Sequence, residues 1–189
     1  MSVELKKIIS KDIYRYYGKT KMPFLHRILP YNIGLKYIIL FRKANYYGNH
    51  NMRKILFAIY AVKLKRLSIK TGFQINPKTQ IGEGFYLGHM GATIINPLVK
   101  IGKNVSLAQG VTIGAHVRGE KCGCPIIGDE VYIGANAVIV GKIKIGNNVM
   151  IAPNSFVNIN VPDNSIVLGN PARIIKSNSA TEGFLVYKV

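Results

Sequence analysis

Acidic residues are scarce in this chain, with eight Asp or Glu against 26 Lys or Arg in 189 residues and a formal charge of +18. Such an excess points to an anionic partner, surface or substrate. Cysteine is nearly absent. The only two, Cys122 and Cys124, are separated by one glycine. That spacing closes no useful loop, so a disulfide framework is excluded and reduced thiols are expected. Long apolar runs are missing as well. The longest uncharged apolar stretch of the first half, Ile55 to Val62, falls far short of the roughly 20 residues that span a bilayer, and the N-terminus lacks the apolar run of a secretory signal. A cytoplasmic location is therefore expected. Apolar residues make up 48% of the chain, which excludes disorder and suffices for one domain core plus an appendage.

The charge is unevenly placed. Residues 1–70 hold 16 basic residues against Glu4 and Asp12, a balance of +14, whereas the remaining 119 carry 10 basic and 6 acidic groups, or +4. The basic segment interleaves its charges with Tyr14, Tyr16, Tyr17, Phe24, Tyr37, Phe41, Phe57 and Tyr60. Charge mixed with large apolar groups at helical spacing disfavours a nucleic-acid grip and suits an amphipathic contact with an anionic membrane surface or a subunit. The plainer alternative is a solvated basic face on helices whose apolar side packs on the neighbouring domain. Helices are expected over 2–17, 32–46 and about 52–68, the last with Ile55, Ala58, Ile59 and Val62 at i, i+3, i+4, i+7. Gly72 ends the helical region. The expected organisation is a basic helical segment (1–71), a repeat domain (72–175) and a tail (176–189).

From Ile75 to Val157 an aliphatic residue recurs every sixth position: Ile75, Ile81, Leu87; Ile95, Ile101, Leu107, Ile113; Ile127, Ile133, Ile139, Ile145, Ile151, Val157. A period of six is neither helical nor simple strand alternation, and it marks a repeat in which each hexad is one unit. Each hexad offers a short strand and a tight corner of Gly or Asn, which tolerate positive φ. Three hexads make a triangular coil, and stacked coils pair by parallel ladders around inward aliphatics. Small residues four positions on, including Thr79, Val99, Val105, Val111, Val131, Ala137, Val149 and Ser155, fill the space between corners. The phase slips twice. Two extra residues separate Leu87 from Ile95, beside His89, and two beyond an expected twelve separate Ile113 from Ile127, around Cys122 and Cys124.

The hexads Ile101-Gly-Lys-Asn-Val105, Ile133-Gly-Ala-Asn-Ala137 and Ile145-Gly-Asn-Asn-Val149, with the closing stretch Val161 to Ile174, resemble the hexapeptide-repeat acyltransferases. That resemblance implies a mainly β fold, a left-handed parallel β-helix behind an N-terminal α-helical segment. Gly84-Phe-Tyr-Leu-Gly-His89 and Gln109-Gly-Val-Thr-Ile-Gly114 are similar to the serine-acetyltransferase branch. The resemblance implies an acetyl-CoA-dependent O-acetyltransferase with His89 as catalytic base, in the cleft between two β-helices of a homotrimer. An imidazole of near-neutral pKa takes a proton from the acceptor hydroxyl and returns it to the departing thiol. His116 is a second candidate for lining that cleft. Coenzyme A is expected against Gly114, Ala115, Ala135 and Pro153, with Arg173 and Lys176 toward its phosphates. No metal is expected, and His26 and His50 are assigned no chemistry.

The chain departs from the serine-acetyltransferase pattern. Gly88 stands where that branch has an acid, Gln74 where it has an Asp, and Cys122-Gly-Cys-Pro125 replaces an Asp-Arg-His-Pro segment. A desolvated zwitterion needs charged partners. The expected acceptor is therefore a neutral polyhydroxyl, a sugar of a capsule or other cell-surface polysaccharide or its lipid-linked precursor, held by Gln74, Asn76, Gln109, His116 and Cys124. A similar Cys-Pro precedes a hexad in the colanic-acid type of acetyltransferase. With no Asp at position 74, a backbone carbonyl or another side chain must set the tautomer of His89. Serine O-acetylation is the first alternative and a non-catalytic trimeric scaffold the second. A zinc carbonic anhydrase needs three converging histidines and the repeat holds two.

Overall fold

The structure is a computed structural model that describes residues 2–23, 32–49 and 54–189. His26 and His50 lie outside the described residues. Three helices come first, α1 (Val3–Tyr17), α2 (Ile33–Asn49) and α3 (Lys54–Thr71). Ser2 caps α1 by accepting from the Leu5 amide, and Gly18 closes it in the left-handed conformation. Gly72 closes α3 at φ 80°, and a side chain there would meet the Gly91 backbone at 2.9 Å. Among the described residues no helix is long and apolar enough to cross a membrane.

The remainder is a parallel β-helix with three faces. Face A stacks β1 (Gln74–Ile75), β4 (Ile94–Ile95), β7 (Thr112–Gly114), β10 (Val138–Val140) and β13 (Phe156–Val157). Face B stacks β2 (Gln80–Ile81), β5 (Lys100–Ile101), β8 (Ile126–Ile127) and β11 (Lys144–Ile145). Face C stacks β3 (Tyr86–Leu87), β6 (Ser106–Leu107), β9 (Val131–Ile133), β12 (Val149–Ile151) and β14 (Ser165–Leu168), closed by antiparallel β15 (Arg173–Lys176). The sixth-position aliphatics align in register, Ile75 on Ile95 on Ile113 on Ile139 on Val157, and none of the thirteen exceeds 9% exposure. The small residues between corners are buried as expected. Between faces B and C the corner glycines 82, 102, 128 and 146 stack so closely that a Cβ would strike the next coil's backbone at 2.5–2.8 Å, so bare backbone is the only fit.

The second phase slip is larger than the hexad count implies. Ile113 and Ile127 lie on consecutive strands, β7 and β8, so one corner carries eight extra residues; no hexad is missing with two residues added. The stack also continues past Val157, through the bridge of Val161 to Ile145 and through β14.

The first coil has no preceding coil to satisfy its backbone, and the helices do that work. Tyr16 Oη donates to the Leu87 carbonyl and accepts from the Leu87 amide, at 3.0 and 2.9 Å. Tyr37 Oη accepts from Ile75 N at 3.3 Å. Arg42 lies 2.8 Å from the Asp12 carboxylate, with the two side chains 4% and 0% exposed, and also donates to the Ile81 and Gly82 carbonyls. Asp12 accepts from Phe85 N at 3.1 Å, and Arg15 donates to Gly84 O and Ser106 Oγ. Two of the sixteen cations of residues 1–70, Arg15 and Arg42, are thus buried. The tail runs back along the B/C corner. Ser177 N donates to Asn164 O, Thr181 Oγ1 to Asn148 Oδ1 and Val189 N to Asn104 Oδ1, while Tyr187 meets Tyr14 edge-on at 6.0 Å.

The apolar spacing in α3 locates the helix but not its inner face. Leu64, Leu67 and Thr71 are its buried residues, whereas Ile55, Ile59 and Val62 are 78%, 43% and 52% exposed.

Two outcomes are expected. Asp12→Ala strands a buried guanidinium and lowers the unfolding free energy by about 3–5 kcal/mol, a loss that Asp12→Ala/Arg42→Met partly recovers, as measured by chemical denaturation. Burial also pushes the Tyr16 phenol well above its ordinary value, with Tyr86 and Asp12 adding to the rise, and raises that of Tyr37. The folded chain then keeps protons that the unfolded chain releases. This contribution is intact below about pH 10 and falls as pH rises beyond it, so alkaline titration of the midpoint should show the decline and Tyr16→Phe should reduce it.

Candidate active site at the corners of face A

The two phase slips fall on opposite edges of face A. The first is the loop after β3, at the C/A corner, and the second is the loop after β7, at the A/B corner. In the first, Gly88 N donates to Leu107 O and Gly91 N to Thr71 O, pinning both ends so that His89 and Met90 stand out, Met90 at 57% exposure. His89 is exposed, and among the described residues nothing hydrogen-bonds its ring. The expected orienting carbonyl or side chain is therefore not found within this chain's described part. At Gly91 a Cβ would touch Gln109 Cβ at 3.0 Å, which brings the half-buried Gln109 beside the loop. Gly88 has open space, with nothing nearer than 3.6 Å to an added Cβ.

Below His89 the C/A corner forms a column. Asn136 N donates to Gln109 O and Asn154 N to Ala135 O, so Gln109, Ala135 and Pro153 follow one another coil by coil, and Arg173 lies at the same end of face C, in register with Leu168. Five strand steps of about 4.8 Å, from β3 to β15, carry this line roughly 24 Å from the His89 loop. Lys176 does not belong to it, because it pairs with Ser165 at the other end of β15, three residues or about 10 Å away.

Gly114, Ala115, His116 and Cys124 belong to the A/B edge. His116 and Gly123 exchange backbone hydrogen bonds at 3.0 and 2.9 Å, closing the loop as a small hairpin. His116 Nδ1 lies 2.7 Å from Arg118 O. A carbonyl only accepts, so Nδ1 carries a proton in this contact. Cys122 is exposed and Cys124 half-buried, and both thiols are free. Burial, followed by the neighbouring Cys122, raises the Cys124 pKa, which keeps it a thiol rather than a thiolate nucleophile near neutrality. The exposed Arg118 on the same loop carries no sequence signal of its own, being one of many cations outside the hexad period.

Gln74 and Asn76 line a groove of about 870 Å³ between α3 and face A, together with Ile94, Asn96 and Gly114. The Asn76 side-chain oxygen already accepts from Lys78 N at 2.9 Å, and Asn96 does the same for Leu98 N one coil on, so this oxygen serves a repeated turn. His89 and the A/B loop, expected to line one cleft, sit at separate corners of the single chain. Among the described residues no group of three or more His, Cys, Asp or Glu is placed to hold a metal ion.

Comparison with known proteins places this geometry. Residues 124–158 match the model described as bacterial transferase hexapeptide (six repeats). A serine acetyltransferase of Staphylococcus aureus strain Mu50 is 36% identical over 134 residues, 71% of this chain and 62% of that protein, so the match spans less than two thirds of the relative's length. Among solved structures, the Neisseria gonorrhoeae serine acetyltransferase in complex with serine aligns at TM-score 0.70 and 31% identity over 91% of this chain and 68% of that one. The Brucella abortus S19 serine acetyltransferase in complex with coenzyme A aligns at TM-score 0.72 and 28% identity, covering 92% and 67%. These similarities overturn the expected sugar acceptor and with it the capsule and cell-surface polysaccharide reading, which rested on charged groups absent at Gly88, Gln74 and Cys122-Gly-Cys-Pro125. Missing carboxylates do not exclude a zwitterion, because an ammonium is also solvated by neutral oxygens and a carboxylate by Arg or amides. The hexad stack, the corner histidine and these similarities together show that the chain belongs to the hexapeptide-repeat transferase family of left-handed parallel β-helix proteins.

Proposed function

We propose that this chain is the subunit of an acetyl-CoA-dependent serine O-acetyltransferase, with residues 72–175 as the catalytic unit, 1–71 as its cap and 176–189 as its strap. The observation that carries the reading is the exposed His89, held out by a pinned bulge at the head of the column Gln109, Ala135, Pro153 and Arg173. A thiol-ended arm lying along that column brings its thioester to His89 and its phosphates toward Arg173. His89 takes the proton of the serine hydroxyl as the oxygen attacks the thioester carbonyl. The tetrahedral adduct then expels the coenzyme thiolate, which receives the proton from the imidazolium. No covalent enzyme intermediate is needed.

The names of the relatives support serine as the acceptor and coenzyme A as the carrier. In this reading Gln74 and Gln109 offer neutral oxygens toward the ammonium, and Arg118 is the guanidinium nearest in the sequence to the A/B loop hairpin for the carboxylate. We further propose a homotrimer. The C/A corner of one copy and the A/B loop of the next enclose the acceptor between them, which also supplies surroundings for the His89 ring that one chain lacks. Gly114 and Ala115 then reach the coenzyme from the neighbouring copy.

His89→Ala should keep the wild-type melting temperature, because its side chain is exposed, and should lower serine-dependent release of coenzyme A thiol by about 10²- to 10⁴-fold. A wild-type protein that releases no thiol with serine, or a variant that keeps the full rate, overturns the proposal.

A further inference from the structure

The outer face of α3 is built unlike that of a helix meant for water. With 100° between residues, Ile55, Ile59, Val62, Arg66 and Ile69 fall on one stripe. The four aliphatics are 78%, 43%, 52% and 75% exposed. Lys63 and Lys70 border the stripe on one side and Lys54 and Lys65 on the other, all exposed, and the helix contains no acidic residue. The opposite face is already occupied, with Leu64, Leu67 and Thr71 buried and Tyr60 stacked on Tyr47 at 5.5 Å. A helix apolar on both faces leaves one of them needing a second partner.

We infer that this stripe is a docking surface for an anionic lipid bilayer, independent of the proposed reaction. An apolar band flanked on both sides by cations is the arrangement that lies in a lipid interface, the aliphatics among the acyl chains and the ammonium groups at the phosphates. Charge separates this occupant from a second copy. Two α3 helices meeting through the stripe would bring five cations of each against five of the other with no acid on either helix between them. Ile69 also borders the groove toward face A, so the test uses the far end of the stripe.

The experiment is flotation of the full chain with vesicles of phosphatidylcholine alone and of phosphatidylcholine mixed with phosphatidylglycerol, at low and high salt. Oligomeric mass and melting temperature are measured in parallel. Wild type should float with the mixed vesicles at low salt only. The variants Ile55→Ser/Ile59→Ser/Val62→Ser and Lys63→Glu/Arg66→Glu should each lose about ten-fold or more in binding at unchanged mass and melting temperature. Absence of flotation, flotation equal for wild type and both variants, or a drop in oligomeric mass in the serine variant, which would identify a second copy as the occupant, each overturns the inference.

Discussion

The open edge of the first coil is the constraint on which the rest of this protein depends. A parallel β-helix satisfies its backbone only by stacking, so the first turn carries a row of donors and acceptors with nothing above them. Here the row is answered one group at a time. Tyr16 serves both polar groups of Leu87, Tyr37 the amide of Ile75, Arg42 the carbonyls of Ile81 and Gly82, Arg15 that of Gly84, and Asp12 the amide of Phe85. The buried Asp12–Arg42 pair holds its own charges at the junction of α1, α2 and coil one. A buried pair is weak evidence for net stability, but removing one partner is costly, and its hydrogen bonds to Ile81 O, Gly82 O and Phe85 N fix where the helices sit on the coil. Since Gly91, at the end of the His89 loop, is anchored to Thr71 at the end of α3, that placement also sets the loop that bears the histidine.

Regularity makes the scaffold and interruption makes the site. The regular B/C and C/A corners turn on a left-handed residue or glycine, and the stacked B/C glycines pack on the backbone of the next coil. The chain projects a functional group only where residues are added. Two extra residues suffice to push His89 outward, and eight build a hairpin with its own backbone pairing. The additions fall at opposite edges of face A, so in one chain the two projecting loops stand apart. This is the physical argument for proposing that copies share them.

Much of the scaffold was legible because it is periodic. The inward aliphatics, the small residues between corners and the glycine and asparagine corners all repeat, and repetition is what a sequence displays most clearly. The cap was not legible. Asp12, Arg15, Arg42, Tyr16 and Tyr37 follow no period and are indistinguishable in a basic, aromatic-rich segment from residues facing water. For the same reason Ile55, Ile59 and Val62 announced a helix without announcing which side of it faces inward. The second slip was misjudged by the period itself, since fourteen residues between aliphatics look like two hexads plus two until β7 and β8 prove to be neighbours. His89 stood out as a polar residue at a break in phase. The acceptor did not, because missing charges at Gly88, Gln74 and Cys122-Gly-Cys-Pro125 say which partners are absent and not which neutral groups or other cations replace them.

The proposed division of the site between copies is tested most directly by subunit mixing. His89→Ala removes the base from the C/A corner, and Gly114→Trp is chosen to block the A/B edge, where an added Cβ meets only Val140 Cγ1 at 3.7 Å; the melting temperature of each variant is measured alongside. Each protein alone should be inactive toward serine. Unfolded together and refolded as mixed trimers, they should regain a measurable fraction of wild-type thiol release, because some interfaces then pair an intact corner with an intact edge. Mixed trimers that form, as shown by mass, but stay as inactive as the parents would contradict the account.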